Sequence, residues 1–166
     1  MAMLARLATN LFHGWGKLHR TFPPEVLARI DVAIAASEQR HGGEIVLAVE
    51  SRLSPRMVLD GVDARTRANR LFALHRVWDT EQNLGVLIYA LLSEHRVEIV
   101  ADRGVRARVT QAELDALCAT VVQGFRDSDA ERGVVTAIDA LGTLLAPHFP
   151  HDPASKDELG GAPIVV

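Results

Sequence analysis

The chain has little cysteine and few aromatic residues. It has one Cys among its 166 residues, and aromatic residues make up 5% of it. A single Cys excludes an intramolecular disulfide framework and a Cys-rich zinc or iron–sulfur site. The longest uninterrupted apolar run, residues 85–92, has about eight residues, whereas a membrane-spanning helix needs about 20. We therefore expect no transmembrane segment.

The chain also lacks an excess of positive charge and the common nucleotide-binding motifs. Its 18 Lys and Arg against 21 Asp and Glu leave a net charge of −3, which argues against a general nucleic-acid binder. It contains no Walker loop, no dinucleotide fingerprint and no Gly-x-Ser-x-Gly elbow. A length of 166 residues corresponds to one domain.

What is present is an alternation of helical and strand-like segments. Helical periodicity predicts helices before residue 22, from Pro24, over 55–77, and after Thr110 and Asp127. Apolar runs predict a strand at 44–49 and a hairpin at 85–92 and 96–101. Helices on either side of three or four strands predict an α/β fold, a layered sandwich of helices around a sheet.

The two ends of the chain differ from its centre. Apolar residues at helical spacing predict an N-terminal amphipathic helix over residues 1–21. Two interpretations stay open: the helix docks on the domain, or it contacts a membrane surface or a partner. Residues 151–166 are rich in Pro, Asp and Gly, and we expect a flexible tail there.

Polar residues flank the hairpin at one end. Asp79 and Asn83 precede its first strand, and Asp102 follows its second. Because these positions share one end of an antiparallel pair, we expect the three side chains to converge. Their oxygen atoms suit Ca²⁺ or Mg²⁺; the alternative is that they bond nearby backbone, as turn residues do. We expect Glu44, before the first strand, to lie elsewhere if that strand is parallel to its neighbour.

Two further features have plain structural interpretations. Cys118 shares a helical stripe with Leu114 and Val121, which predicts an inert core thiol. In the helix predicted over 55–77, Asp63 and Arg67 are spaced as an i,i+4 ion pair. The arginines of that helix form either a solvated face or a basic face for an anionic partner. They are Arg65, Arg67, Arg70 and Arg76.

Two blocks of sequence resemble the TPM domain family. They are residues 77–89, which include Asn83-Leu84-Gly85-Val86-Leu87, and residues 96–104, which end in Asp102-Arg103-Gly104. Leu84 is inserted in the family's Asn-Gly pair, and Asp102 stands near a position where many members carry Gly. The resemblance covers residues 22–150. It implies a three-layer α/β/α sandwich with a small mixed β-sheet flanked by helices.

The resemblance also implies functions. Family members are associated with repair or assembly of membrane complexes, receptor modulation, divalent-cation binding and acid phosphatase activity, and many are attached to membranes through extra segments. We expect an accessory interaction module that binds Ca²⁺ or Mg²⁺ and assists a membrane or multiprotein complex through a protein partner. We expect it in the cytoplasm, peripheral to a membrane, and not on nucleic acid.

The alternative is a metal-assisted phosphatase. Asp79 or Asp102 would hold the metal or act as the nucleophile, and Arg103 would bind the phosphate through two parallel hydrogen bonds.

Overall fold

The computed structural model describes residues 3–12, 15–153, 158–160 and 162–166, which form eight helices and four strands. In chain order these are α1 Met3–Phe12, α2 Trp15–Thr21, α3 Pro24–Glu38, β1 Glu44–Glu50, α4 Pro55–Leu59, α5 Ala64–Leu74, β2 Gly85–Leu91, β3 Arg96–Ala101, α6 Arg103–Arg106, α7 Gln111–Arg126, α8 Ala130–Leu145 and β4 Ile164–Val165.

One mixed sheet of four strands, in the order β3-β2-β1-β4, forms the centre of the fold. The neighbours β1 and β2 run parallel, with Glu44 opposite Gly85 and Glu50 opposite Leu91. The antiparallel hairpin of β2 and β3 is confirmed. Because β1 and β2 are parallel and β3 is reversed, the starts of β1 and β2 and the end of β3 meet at one end of the sheet.

Helices cover both faces of the sheet. On one face α3, α7 and α8 pack against alternate residues of β1, including Ile45 and Leu47. On the other face α4 and α5 pack against the intervening residues, Val46 and Ala48. Successive side chains of a strand point to opposite faces, so an unbroken apolar strand requires cover on both. The predicted three-layer α/β/α sandwich is confirmed.

The helix predicted over residues 55–77 is two helices instead of one. Gly61 adopts a left-handed backbone with φ of 72°, so the helix does not continue beyond α4. The Asp63 side chain then caps α5 by accepting a hydrogen bond of 2.7 Å from the Thr66 amide. Asp63 is therefore not the ion-pair partner of Arg67, because its carboxylate caps the first turn of α5 instead of pairing with a side chain one turn later.

The other predicted helix starts are present. Ser54 accepts a hydrogen bond from the Met57 amide at the start of α4. Thr110 and Glu113 form a reciprocal capping box at the start of α7. Such caps satisfy amide groups that have no partner within the helix, which is why the pattern is visible in the sequence.

Both terminal segments contain regular secondary structure. The segment predicted as a helix over residues 1–21 contains α1 and α2, and residues 13 and 14 between them lie outside the described part. In the tail predicted to be flexible, β4 pairs in parallel with β1, Ile164 opposite Ala48. None of the described helices is both long enough and apolar enough to cross a membrane.

A charged group lies inside the core covered by α4 and α5. Glu50 is 5% exposed. Arg67 donates to both of its carboxylate oxygens at 2.8 and 3.0 Å, and the Tyr89 hydroxyl donates at 2.7 Å. Burial and the Glu50 charge raise the pKa of Tyr89, which keeps the hydroxyl protonated as a donor. Removing one partner of such a buried pair costs about 3–5 kcal/mol.

A buried histidine links α3 to the start of β1. His41 is 1% exposed. Its Nδ1 accepts a hydrogen bond of 3.1 Å from the Gly43 amide, and its Nε2 lies 3.1 Å from the Ser37 hydroxyl. Burial and the nearby Arg40 charge lower the pKa of His41 to about 4. The neutral ring is therefore the form that the fold accommodates.

His41 predicts a pH dependence of stability. Above pH of about 6.5 the ring is neutral in both states. Below it, the unfolded chain takes up a proton that the folded chain takes up only near pH 4. The free energy of unfolding should therefore fall by up to about 3 kcal/mol across this window. Urea unfolding at several pH values should show this slope in the wild type and in His75→Gln, an exposed control, but not in His41→Asn. An equal slope in His41→Asn would assign the effect to other groups.

The start of β2 predicts a strict requirement for glycine. A Cβ on Gly85 would lie 1.8 Å from the Val77 carbonyl oxygen. Gly85→Ala should lower the free energy of unfolding by at least about 3 kcal/mol, since backbone must move. Gly16→Ala is the matched control, because its Cβ would meet nothing within 4 Å in α2; it should raise stability by about 0.5–1 kcal/mol. Equal effects in thermal or urea unfolding would contradict the clash.

Candidate functional site

The candidate site lies at the end of the sheet where β2 begins and β3 ends. The amide of Asp102 donates a hydrogen bond of 2.9 Å to the Gly85 carbonyl. Glu44 lies at this same end, since it is opposite Gly85 and its amide donates to the Leu84 carbonyl at 3.2 Å. The expectation that Glu44 lies elsewhere is therefore wrong, because parallel strands begin at the same end of a sheet.

The loop before β2 is held by its own hydrogen bonds. The Thr80 hydroxyl accepts from the Leu84 amide at 2.9 Å, and the Thr80 carbonyl accepts from the Asn83 amide at 3.1 Å. Asn83 adopts a left-handed backbone with φ of 58°, which Asn tolerates better than most residues. Leu84, the residue inserted relative to the family pattern, is 2% exposed and packs into the core beneath the loop.

Asn83 and Arg103 are joined directly. The Arg103 side chain donates from Nε and Nη2 to the Asn83 Oδ1 atom at 3.0 and 2.7 Å. Gly104, the next residue, lets the two backbone segments approach closely, and its amide donates to the Asn83 carbonyl at 3.1 Å. A Cβ at Gly104 would lie 2.7 Å from that carbonyl and 3.0 Å from the Gln82 carbonyl. The glycine thus brings two carbonyl oxygens against the start of α6.

Asp102 has one satisfied and one unsatisfied carboxylate oxygen. Its Oδ1 accepts a hydrogen bond of 2.7 Å from the Arg103 amide and caps α6. Its Oδ2 is shielded from solvent and has no hydrogen-bond partner among the described residues. Buried polar atoms in native proteins almost always have a partner, so this oxygen is the candidate ligand atom at this end of the sheet.

Asp79 is engaged elsewhere. Its carboxylate lies 2.7 Å from the Arg76 guanidinium, three residues earlier. Within the described structure, no hydrogen bond or ion pair connects it to Asn83, Asp102 or Arg103. Of the four residues predicted for this site, Asn83, Asp102 and Arg103 are therefore joined through direct bonds, and Asp79 pairs with Arg76 instead.

Side-chain and backbone oxygen atoms lie together around the start of α6. The Asp102 Oδ2 atom, the Asn83 side chain and the nearby Gln82 carbonyl are all oxygen donors, as Ca²⁺ and Mg²⁺ prefer. Arg103 uses its Nε and one Nη2 proton on Asn83, which leaves the Nη1 protons and the second Nη2 proton as donors that a phosphate could use. Among the described residues, no group of three or more His, Cys, Asp or Glu side chains could hold a metal ion.

Two contributions to the loop were missed from the sequence. Thr80 is 9% exposed and supplies the hydroxyl that fixes the turn. Glu158, from the C-terminal tail, accepts a hydrogen bond of 3.0 Å from the Glu81 amide. Thr80 could have been suspected, since Thr side chains bond nearby backbone in turns. Glu158 could not, because 77 residues separate it from its partner.

The structure also places Cys118 and the arginines predicted to lie on one helix. Cys118 is half-buried against the core, and burial raises the pKa of its thiol to about 11, so it is a poor nucleophile at neutral pH. Three of the four arginines between residues 65 and 76 have carboxylate partners: Arg65 with Glu98, Arg67 with Glu50, and Arg76 with Asp79. Ion pairing therefore accounts for most of that basic pattern.

Comparisons with known proteins agree with this architecture. A family model described as the TPM domain matches residues 18–144. The fold is similar to the NMR structure of the BA42 protein from the psychrophilic bacterium Bizionia argentinensis, with a TM-score of 0.75 and 25% sequence identity over 86% of this chain and 93% of that one. No curated protein matches the chain. Because the family model covers well over half of the sequence, the chain belongs to the TPM domain family.

Proposed function

We propose that this TPM domain is an accessory interaction module whose loop at the start of β2 binds a divalent cation. The orphaned Oδ2 atom of Asp102 carries the proposal. A carboxylate oxygen that is shielded from water and unpaired is costly, and a bound Ca²⁺ or Mg²⁺ would compensate that cost. Asn83 supplies a second oxygen, and Asp79 is the third proposed ligand.

Cation binding at this site requires local exchanges of partner. Arg103 would release the Asn83 Oδ1 atom that it now holds at 2.7 Å. Asp79 would release Arg76, and both of these are exposed, with 47% and 70% of their side chains accessible. Exposed ion pairs contribute about 0–1 kcal/mol, so the release of Arg76 by Asp79 costs little against the attraction of a divalent charge.

An exposed tryptophan beside the loop supports the interaction role. Trp78 is 47% exposed and directly precedes Asp79. Trp is among the residues that contribute most to binding energy in protein interfaces. A cation that reorders the loop would therefore act next to a surface suited to a protein partner, in a membrane or multiprotein complex.

Thermal unfolding tests the cation site. At about ten times the dissociation constant, Ca²⁺ or Mg²⁺ should raise the melting temperature by about 3–6 °C through mass action. Asp102→Asn should abolish the rise, because its amide keeps the cap through Oδ1 but cannot ligate through nitrogen. Asp79→Asn should reduce it, and Asp60→Asn, an exposed acid on another loop, is the matched control.

Fluorescence gives a second measurement on the same samples. Trp78 is one of two tryptophans, so its cation-induced change is the part of the signal that disappears in Trp78→Phe. No shift in melting temperature and no change in fluorescence at millimolar cation would leave Asp102 as an ordinary helix cap and would reject the site.

A phosphatase is the second candidate function, and the position of Arg103 beside Asp102 is the observation that favours it. Arg binds phosphate through two parallel hydrogen bonds, whereas Lys acts as a point charge. Hydrolysis of a generic phosphate monoester that needs the cation, and that is lost in both Arg103→Lys and Asp102→Asn, would replace the accessory role by this one. Absence of hydrolysis with the cation bound favours the accessory role.

A further inference from the structure

Helix α1 packs on the domain through the polar residues Arg6 and Asn10, with Leu7 as an apolar contact to the core. Asn10 is 1% exposed. Its Oδ1 accepts hydrogen bonds from the Leu53 amide and the Ser93 hydroxyl, each at 2.8 Å, and its Nδ2 donates to Glu94 at 2.9 Å. Arg6 also donates to Glu94, at 2.7 Å. These bonds fix the rotation of α1, because a buried Asn that lost them would leave polar atoms unpaired.

The opposite face of α1 is apolar and points outward. At 100° per residue, Leu4, Leu11 and Phe12 lie on the side of the helix away from Arg6 and Asn10. Leu4 is 80% exposed and Phe12 89%. Leu11 and the neighbouring Met3 are about half exposed, at 49% and 55%. This is the reverse of the usual surface helix, which buries its apolar side.

Charge around α1 favours an anionic surface. Residues 1–24 include Arg6, Lys17 and Arg20 but no acidic residue, and Lys17 and Arg20 are exposed. The acidic residue that contacts α1, Glu94, is bonded by Arg6 and Asn10. Arg52 adds a guanidinium at the C-terminal end of α1, where its Nη1 donates to the Leu11 carbonyl at 3.2 Å. Cations beside an exposed apolar helix face are the combination that binds anionic lipid.

The size of the apolar face argues against a second copy of the chain. A ten-residue helix is about 15 Å long and about 10 Å wide, so its outer face offers about 150 Å². A stable protein interface buries about 800 Å² on each partner. A lipid surface has no such minimum, because each inserted side chain gains its own burial energy.

We propose that α1 lies in the headgroup region of an anionic membrane, with Leu4, Leu11 and Phe12 inserted. The polar bonds of Asn10 and Arg6 hold the helix against the domain and so keep that face toward the lipid. The proposal is separate from the cation site. Asn10 bonds Leu53 and Ser93, which follow β1 and β2, and the candidate cation site lies where those strands begin.

Vesicle flotation tests this proposal. The untagged full chain should bind vesicles of equimolar phosphatidylcholine and phosphatidylglycerol, and should bind phosphatidylcholine alone at least about tenfold less. Raising the salt concentration should weaken binding to the anionic vesicles, since screening reduces the attraction. Leu4→Ser/Phe12→Ser should lower binding to them at least about tenfold, because two large side chains no longer insert.

The matched control is Val32→Ser/Leu74→Ser. These two side chains are 68% and 71% exposed and lie on other helices, so this variant should bind like the wild type. Circular dichroism should show unchanged folding in both double variants, as all four positions face solvent. Equal loss in both variants, no binding of the wild type to anionic vesicles, or concentration-dependent dimerisation that Leu4→Ser/Phe12→Ser abolishes would each overturn the proposal.

Discussion

The whole architecture depends on two parallel strands that have no polar face. All seven residues of β2 are buried, as are six of the seven residues of β1. A sheet with this composition must be covered on both sides, so three helices form one layer and two form the other. Covering both faces leaves the ends of the strands as the places where polar side chains can gather. The candidate cation site and the α1 attachment lie at these two ends.

Buried polar groups then determine how the outer elements are oriented. Inside the core beneath α5, the Glu50 carboxylate accepts hydrogen bonds from Arg67 and Tyr89. On the buried side of α1, the Asn10 side chain is hydrogen-bonded to Leu53, Ser93 and Glu94. A satisfied buried network contributes little net stability, but it penalises every alternative packing. In α1 this penalty outweighs the cost of exposing Leu4 and Phe12, which explains a helix that presents its apolar face to the outside.

Local signals in the sequence were dependable where they had a local cause. The helix starts at residue 55 and after Thr110 and the β2–β3 hairpin are formed by neighbouring residues, and each was predicted. The interpretation failed where one residue had two possible partners. Asp63 could pair with Arg67 or cap a helix, and Gly61 decided the outcome by breaking the helix before it. Of the candidate site, Asp79, Asn83 and Asp102 were predicted to converge because they flank one end of the hairpin, but Asp79 pairs with Arg76 instead.

The sequence by itself determined the three-layer fold, the family and the end of the sheet where the candidate site lies. Hydrophobic periodicity and turn residues act over a few positions, so they can be read without coordinates. Tertiary structure alone decided that Asp102 keeps an unpaired oxygen, that Asp79 turns to Arg76, that Glu158 reaches the loop from the tail, and that α1 faces outward. In each case several groups, near or distant in sequence, compete for one position, and the packed chain decides which of them come within hydrogen-bonding distance.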